Sequence, residues 1–208
     1  IMGNPKYVAL AGILMIGERT VSDDVPTACT DGVNEIYGRE FTDSLTDAQL
    51  RFVVLHENYH KLYRHLITWR HLYDEDPQLA NIACDYVINL KIYDDNKQDN
   101  FATMPAMVCF DEQYRDMDTA YVYNLLKKKY RQPPPDGQQP NGGSGNGQPT
   151  QGGSLPQNFD DHDWEGAESM SEQDKRELAK DIDEAIRQGA LIAGKMGSGG
   201  DRDLDELL

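Results

Sequence analysis

The chain has 208 residues, enough for one substantial core, and 38% of them are apolar. Its formal net charge of −16 would repel a phosphate backbone, which argues against nucleic acid as a partner. No apolar run approaches the ~18 residues of a membrane span, so no membrane partner is expected. Three scattered cysteines, Cys29, Cys84 and Cys109, offer neither a disulfide framework nor a thiolate metal knuckle, and this suits a reducing, cytoplasmic setting.

Residues 5–17 are apolar enough for a buried helix with Pro5 in its first turn, and residues 7–16 lack the basic leader and cleavage site of an export signal. Asp31-Gly32 then falls between the β-prone runs 25–30 and 33–37, a hairpin signal. Thr46-Asp47-Ala48-Gln49 has the spacing of a capping box, and Leu50, Val53, Val54 and Leu55 supply an apolar face behind it. That pattern predicts a helix from about 47 into the high 60s. Asp76-Pro77 opens another, with Leu79, Ile82, Ala83, Tyr86, Val87 and Leu90 at helical spacing to about 93.

Residues 100–117 read as irregular chain, and Asp118 or Thr119 caps a helix through Tyr121, Val122, Leu125 and Leu126. From 133 to 158 the composition is Pro, Gly, Gln, Asn and Ser almost throughout, too little apolar surface to offset the entropy of ordering it. A last helix opens at Ser171-Glu172-Gln173-Asp174 and reaches about Ala193-Gly194. The expected organisation is therefore a core over 1–132, a flexible linker or loop over 133–158, and an acidic helical segment over 159–208 packed on the core. The acidic run 201–208 reads as the start of a further element, which implies a chain cut from a longer one. The expected fold class is α+β, mainly helical, with a small sheet or hairpin before the key helix.

The chemistry concentrates in His56-Glu57-Asn58-Tyr59-His60. Helical residues four apart lie one above the other, so His56 and His60 present two imidazoles to one point with Glu57 beside it. Zinc accepts neutral imidazole in a tetrahedral shell and leaves a position for water at catalytic sites. Glu57 is placed to take a proton from that water and return it to a leaving amine. The bland alternative, a surface helix that happens to carry these residues, fits poorly with the apolar run just before it.

A third ligand is needed. His65 follows His60 by five residues, which at ~100° per residue turns it off the shared face of an unbroken helix, and His71 reads as a surface histidine. Asp85 is the stronger candidate, because Asn81, Asp85 and Asn89 form a stripe of short polar side chains on an otherwise apolar helix. Asn81 and Asn89 would orient Asp85 or the histidines. His162, in the acidic segment 159–164, is a candidate oxyanion stabiliser or fourth ligand, with a solvated loop histidine as the alternative.

These segments together resemble the metallopeptidase domain found in bacterial and phage proteins N-terminal to a von Willebrand factor A-like domain. The likeness rests on residues 27–32, on 55–60 followed by Arg64-His65, on 81–89, on 121–126, on the surroundings of His162 and on 189–195. It implies a zincin-like fold, metal ligands at His56 and His60, a catalytic Glu57 and a following helix that supplies Asp85.

The leading functional expectation is a zinc-dependent peptidase acting on a peptide or protein, with the hairpin offering an edge strand for an extended substrate. The rival is a latent or inactive zinc-binding module that works with a von Willebrand-type domain or an ATPase partner. A zinc amidase is a third possibility, since one metal-water chemistry serves several carbonyl substrates.

Overall fold

The computed structural model describes residues 1–106, 108–131, 155–156 and 162–196. Of the expected linker over 133–158, all but Leu155 and Pro156 lies outside the described residues. The fold is mainly helical with one small three-stranded sheet, an α+β architecture.

The sheet is built from β1 (Arg19–Ser22), β2 (Ala28–Thr30) and β3 (Glu35–Gly38) in the order β1-β3-β2. Strands β2 and β3 form the antiparallel pair expected around Asp31-Gly32, with Ala28 opposite Tyr37 and Thr30 opposite Glu35. The Asp31 carboxylate accepts from the backbone N–H groups of Val33 at 2.8 Å and Asn34 at 2.6 Å, a local alternative to ladder bonding that fixes the turn. Gly32 sits at φ 89°, where a side chain would be strained. The sequence pattern gave no sign of β1, which joins β3 in parallel. Its first three residues are all exposed, so it lacks the in-out alternation that marks a half-buried strand.

Helix α1 (Arg39–Ser44) leads to α2 (Asp47–Leu62), where the capping box forms in full: Thr46 accepts from the Gln49 N–H and Gln49 reaches back to the Thr46 N–H. This helix is shorter than its periodicity predicts. It stops at Arg64, which adopts the left-handed conformation at φ 52°, and α3 (His65–Thr68) then starts in a new direction. A non-glycine residue there costs roughly 1–2 kcal/mol, and tertiary bonds offset it: the Arg64 guanidinium donates to the Ala179 carbonyl at 3.1 Å and pairs with Asp183.

After α4 (Arg70–Glu75), Asp76 caps and Pro77 opens α5 (Pro77–Asn96), and Asp118 caps α6 (Thr119–Tyr130). The C-terminal part comprises the short α7 (Trp164–Ser169) and α8 (Glu172–Met196). Residues 5–17 do not form the expected helix. They run as successive three-residue turns around Val8–Leu10 and Ile13–Met15. Packing against α8 decides this: a Cβ on Gly12 would stand 2.8 Å from the Ala185 Cβ, and one on Gly189 only 2.0 Å from the Ala9 carbonyl oxygen. Two backbones therefore cross at near-contact distance, and glycine on each side permits it.

One core cluster joins these turns to Phe52, Leu55 and Tyr59 of α2, Ile88 and Ile92 of α5, and Leu178, Ile182 and Ile186 of α8. Another packs α5 on α6 through Leu79, Ala83, Val122 and Leu126, with Leu155 against it. Helices α2 and α5 are consequently buried on most sides, and the polar residues they carry lie deep in the protein. Among the described residues no helix is long and apolar enough to cross a membrane, and none of the three cysteines forms a disulfide.

Candidate metal centre

Where α2 meets α5, the apolar faces enclose His56, Glu57 and His60 from one helix and Asp85 from the other, each 0% exposed. Burying two carboxylates and two imidazoles together is costly, so this concentration of polarity points to a binding role.

The distances define it. His56 Nε2 and His60 Nε2 are 3.1 Å apart, and Asp85 Oδ1 lies 3.6 Å from the first and 3.3 Å from the second. His162 enters from the start of the C-terminal part, 7% exposed, with its Nε2 3.4 Å from the same Asp85 oxygen. One ligating atom from each of these four residues lies within 4.8 Å of all the others. Four nitrogen and oxygen ligands bound tetrahedrally at the usual zinc distances stand about 3.3–3.4 Å from one another. The separations among His56, His60 and Asp85, and that from Asp85 to His162, lie near this value, so these donors suit a tetrahedrally bound ion in size as well as in chemistry.

Protonation is organised to match. Burial is the main cause holding His60 well below the ordinary imidazole pKa, with His162, His56 and His65 adding to it, so His60 is neutral and carries a lone pair for a metal. Asn89 gives its amide N–H to the Cys109 carbonyl at 2.9 Å and turns its oxygen to His56 Nδ1 at 2.8 Å. The His56 proton therefore sits on Nδ1, and Nε2 faces the cluster as an acceptor.

His65 is a departure from the sequence reading. An unbroken α2 would carry it away from the site, but the left-handed Arg64 swings it back, and its Nδ1 lies 3.3 Å from His60 Nδ1. Desolvation, with His162 and His56 contributing, lowers the His65 pKa to about 3. A neutral His65 accepts the His60 Nδ1 proton and so orients His60 as Asn89 orients His56. Nothing local in the sequence announces a break at an arginine. His71, by contrast, is exposed, as expected.

Glu57 stands outside the group of four, on the same helix, with Oε2 3.9 Å from His162 Nδ1. Its charge also helps to raise the Tyr37 pKa, behind the larger effect of burial and the contribution of Glu35. Tyr37 donates to Glu35 at 2.6 Å, and Glu35 is held in turn by Arg19 at 3.0 Å and by the fully buried Lys61 at 2.7 Å. This network ties β1 and β3 to α2 beside the site. Asn81 lies one turn before Asp85, and its oxygen accepts the Trp164 indole N–H at 2.7 Å. It thus anchors the segment that carries His162.

A model of the family described as "Putative metallopeptidase domain" matches residues 5–206. The chain belongs to this family. No curated protein and no solved structure matches it. The metallopeptidase-family match spans the α2 histidines, Asp85 and His162 alike, so the buried group lies within the matched region.

Proposed function

We propose that this metallopeptidase-family domain is a zinc-dependent hydrolase of the zincin type, acting on peptide bonds. The observation that carries the reading is the buried group of His56, His60, Asp85 and His162, whose donor atoms lie within 4.8 Å of one another, with a buried carboxylate, Glu57, one residue after the first histidine. His56, His60 and Asp85 would hold the ion. A bound zinc supplies Lewis acidity at the scissile carbonyl and makes water acidic enough to react near neutral pH. Glu57 would accept the water proton and return it to the leaving amine. Asn89 and His65 aim the two histidines, and Glu57 is left as the base. The 3.9 Å separation of His162 Nδ1 from the Glu57 carboxylate supports a part for His162 in that proton transfer.

A peptide substrate would reach the site in extended form along β2, an edge strand of the sheet. The sealed character of the group favours a second reading, a zinc-binding module that recruits a von Willebrand-type or ATPase partner without turnover.

Glu57→Gln separates the two. Glutamine fills the same volume but cannot accept the proton. The peptidase reading expects unchanged zinc content and folding, with the casein hydrolysis of the parent protein abolished by the substitution, and casein hydrolysis that persists undiminished in the Glu57→Gln protein would count against it.

A further inference from the structure

The segment that delivers His162 makes two contacts of the kind a substrate would make. His162 Nε2 joins the buried donor group, 3.4 Å from Asp85 Oδ1 and within 4.8 Å of the two α2 histidine donors. The next residue donates its backbone N–H to the Thr30 carbonyl at 3.0 Å. Thr30 ends β2, whose other edge is already paired with β3, so Asp163 occupies the outward edge where an extended peptide would add as a further strand. Edge and metal position are filled by consecutive residues of the same chain.

Anchors outside the site hold this segment. The Trp164 indole, 1% exposed, donates to Asn81 and stacks on Tyr73 at a centroid distance of 4.7 Å. The Trp164 carbonyl accepts from Arg70 at 3.0 Å, and Arg70 also pairs with Glu168 at 2.8 Å. Leu66, Cys84 and Ala167 close around the indole. These contacts fix the backbone beside His162, whereas α2 and α5 position the other three donors without it.

We propose that His162 is a displaceable fourth protein ligand, and that residues 162–164 form an internal plug that occupies the metal's reactive position and the β2 edge together. The domain is then latent as folded, and withdrawal of the plug exposes the centre to water and to peptide. The proposal rests on the zinc-site reading above. Four protein ligands leave no vacant position, which is the arrangement of structural rather than catalytic zinc; Glu57, placed as a base next to a closed site, makes sense when the closure is reversible.

The test uses cobalt(II) in place of zinc, with azide as a small added ligand and visible absorption as the readout. Wild-type protein should take up cobalt in a tetrahedral site whose spectrum does not respond to azide. The His162→Ala protein should still take up cobalt, with an altered spectrum that shifts further on adding azide, and should hydrolyse casein faster. Identical spectra and azide responses in the two proteins would overturn the proposal, as would a folded His162→Ala protein that no longer takes up cobalt. Should that variant fail to fold, Trp164→Phe carries the test, because it removes the indole bond to Asn81 and part of the indole's packing while leaving His162 in place; an azide response absent from wild type supports the plug, and none overturns it. Failure of the underlying zinc reading is distinguishable, since wild type itself would then take up no cobalt.

Discussion

Asn89 Oδ1 lies 2.8 Å from His56 Nδ1, while the amide N–H of the same side chain is committed to the Cys109 carbonyl. The amide cannot turn over without losing a buried hydrogen bond, so it acts as a fixed acceptor that sets the His56 tautomer. Asn89→Ala should lower zinc affinity by roughly 10- to 100-fold, the usual effect of losing such a supporting partner, measured by competition with a chromophoric chelator. Unchanged affinity would mean that His56 is not a ligand or needs no orientation.

The second histidine is supported by His65, and this support has a pH signature. His65 in the folded protein has its pKa lowered to about 3 from 6.5, and His60 is shifted in the same direction. The unfolded chain takes up these protons below pH 6.5 and the folded protein does not. Stability is therefore complete above about pH 6.5 and falls as the pH drops toward 3, by about 1.4 kcal/mol per pH unit for each such histidine. Urea unfolding of the chelated protein at pH 7 and pH 5 should reveal the loss. His65→Gln should reduce the slope by about one histidine's share, and an unchanged slope would contradict the account.

Glu35 and Lys61 form an ion pair at 2.7 Å with both side chains fully buried, and Arg19 and Tyr37 share the same carboxylate. Removing the carboxylate leaves two cations facing each other, whereas removing Lys61 leaves Glu35 still paired with Arg19. Glu35→Gln should cost about 3–5 kcal/mol in unfolding free energy, the usual penalty for breaking a buried pair, and Lys61→Met should cost less. The opposite order in urea unfolding would show that Lys61 rather than Glu35 is the hub.

The histidine pair, the adjacent glutamate and the Asn81-Asp85-Asn89 stripe are legible in the sequence because each is a helical spacing, and helical spacing maps directly onto a face. The β2–β3 turn is legible for a similar reason, since Asp31-Gly32 encodes its own local geometry. Features set by tertiary packing are not readable in this way. Arg64 takes a left-handed conformation because α8 offers it a carbonyl and a carboxylate, so His65 returns to the site against the helical period. Residues 5–17 have a helix-like composition but bend into short turns because α8 crosses them at Gly12 and Gly189. Asn81 lies on the expected stripe, yet it bonds to Trp164, a partner 83 residues away that no spacing rule connects to it.

The central claim is that a metal sits among His56, His60 and Asp85 with Glu57 outside its shell as a base. An anomalous difference map from zinc-loaded crystals, recorded on both sides of the zinc absorption edge, tests it directly. The account predicts one strong peak at bonding distance from His56 Nε2, His60 Nε2 and Asp85 Oδ1, with the Glu57 carboxylate outside that shell and His162 Nε2 completing it. A peak elsewhere, a peak bonded to Glu57, or none at this position in fully loaded crystals would contradict it.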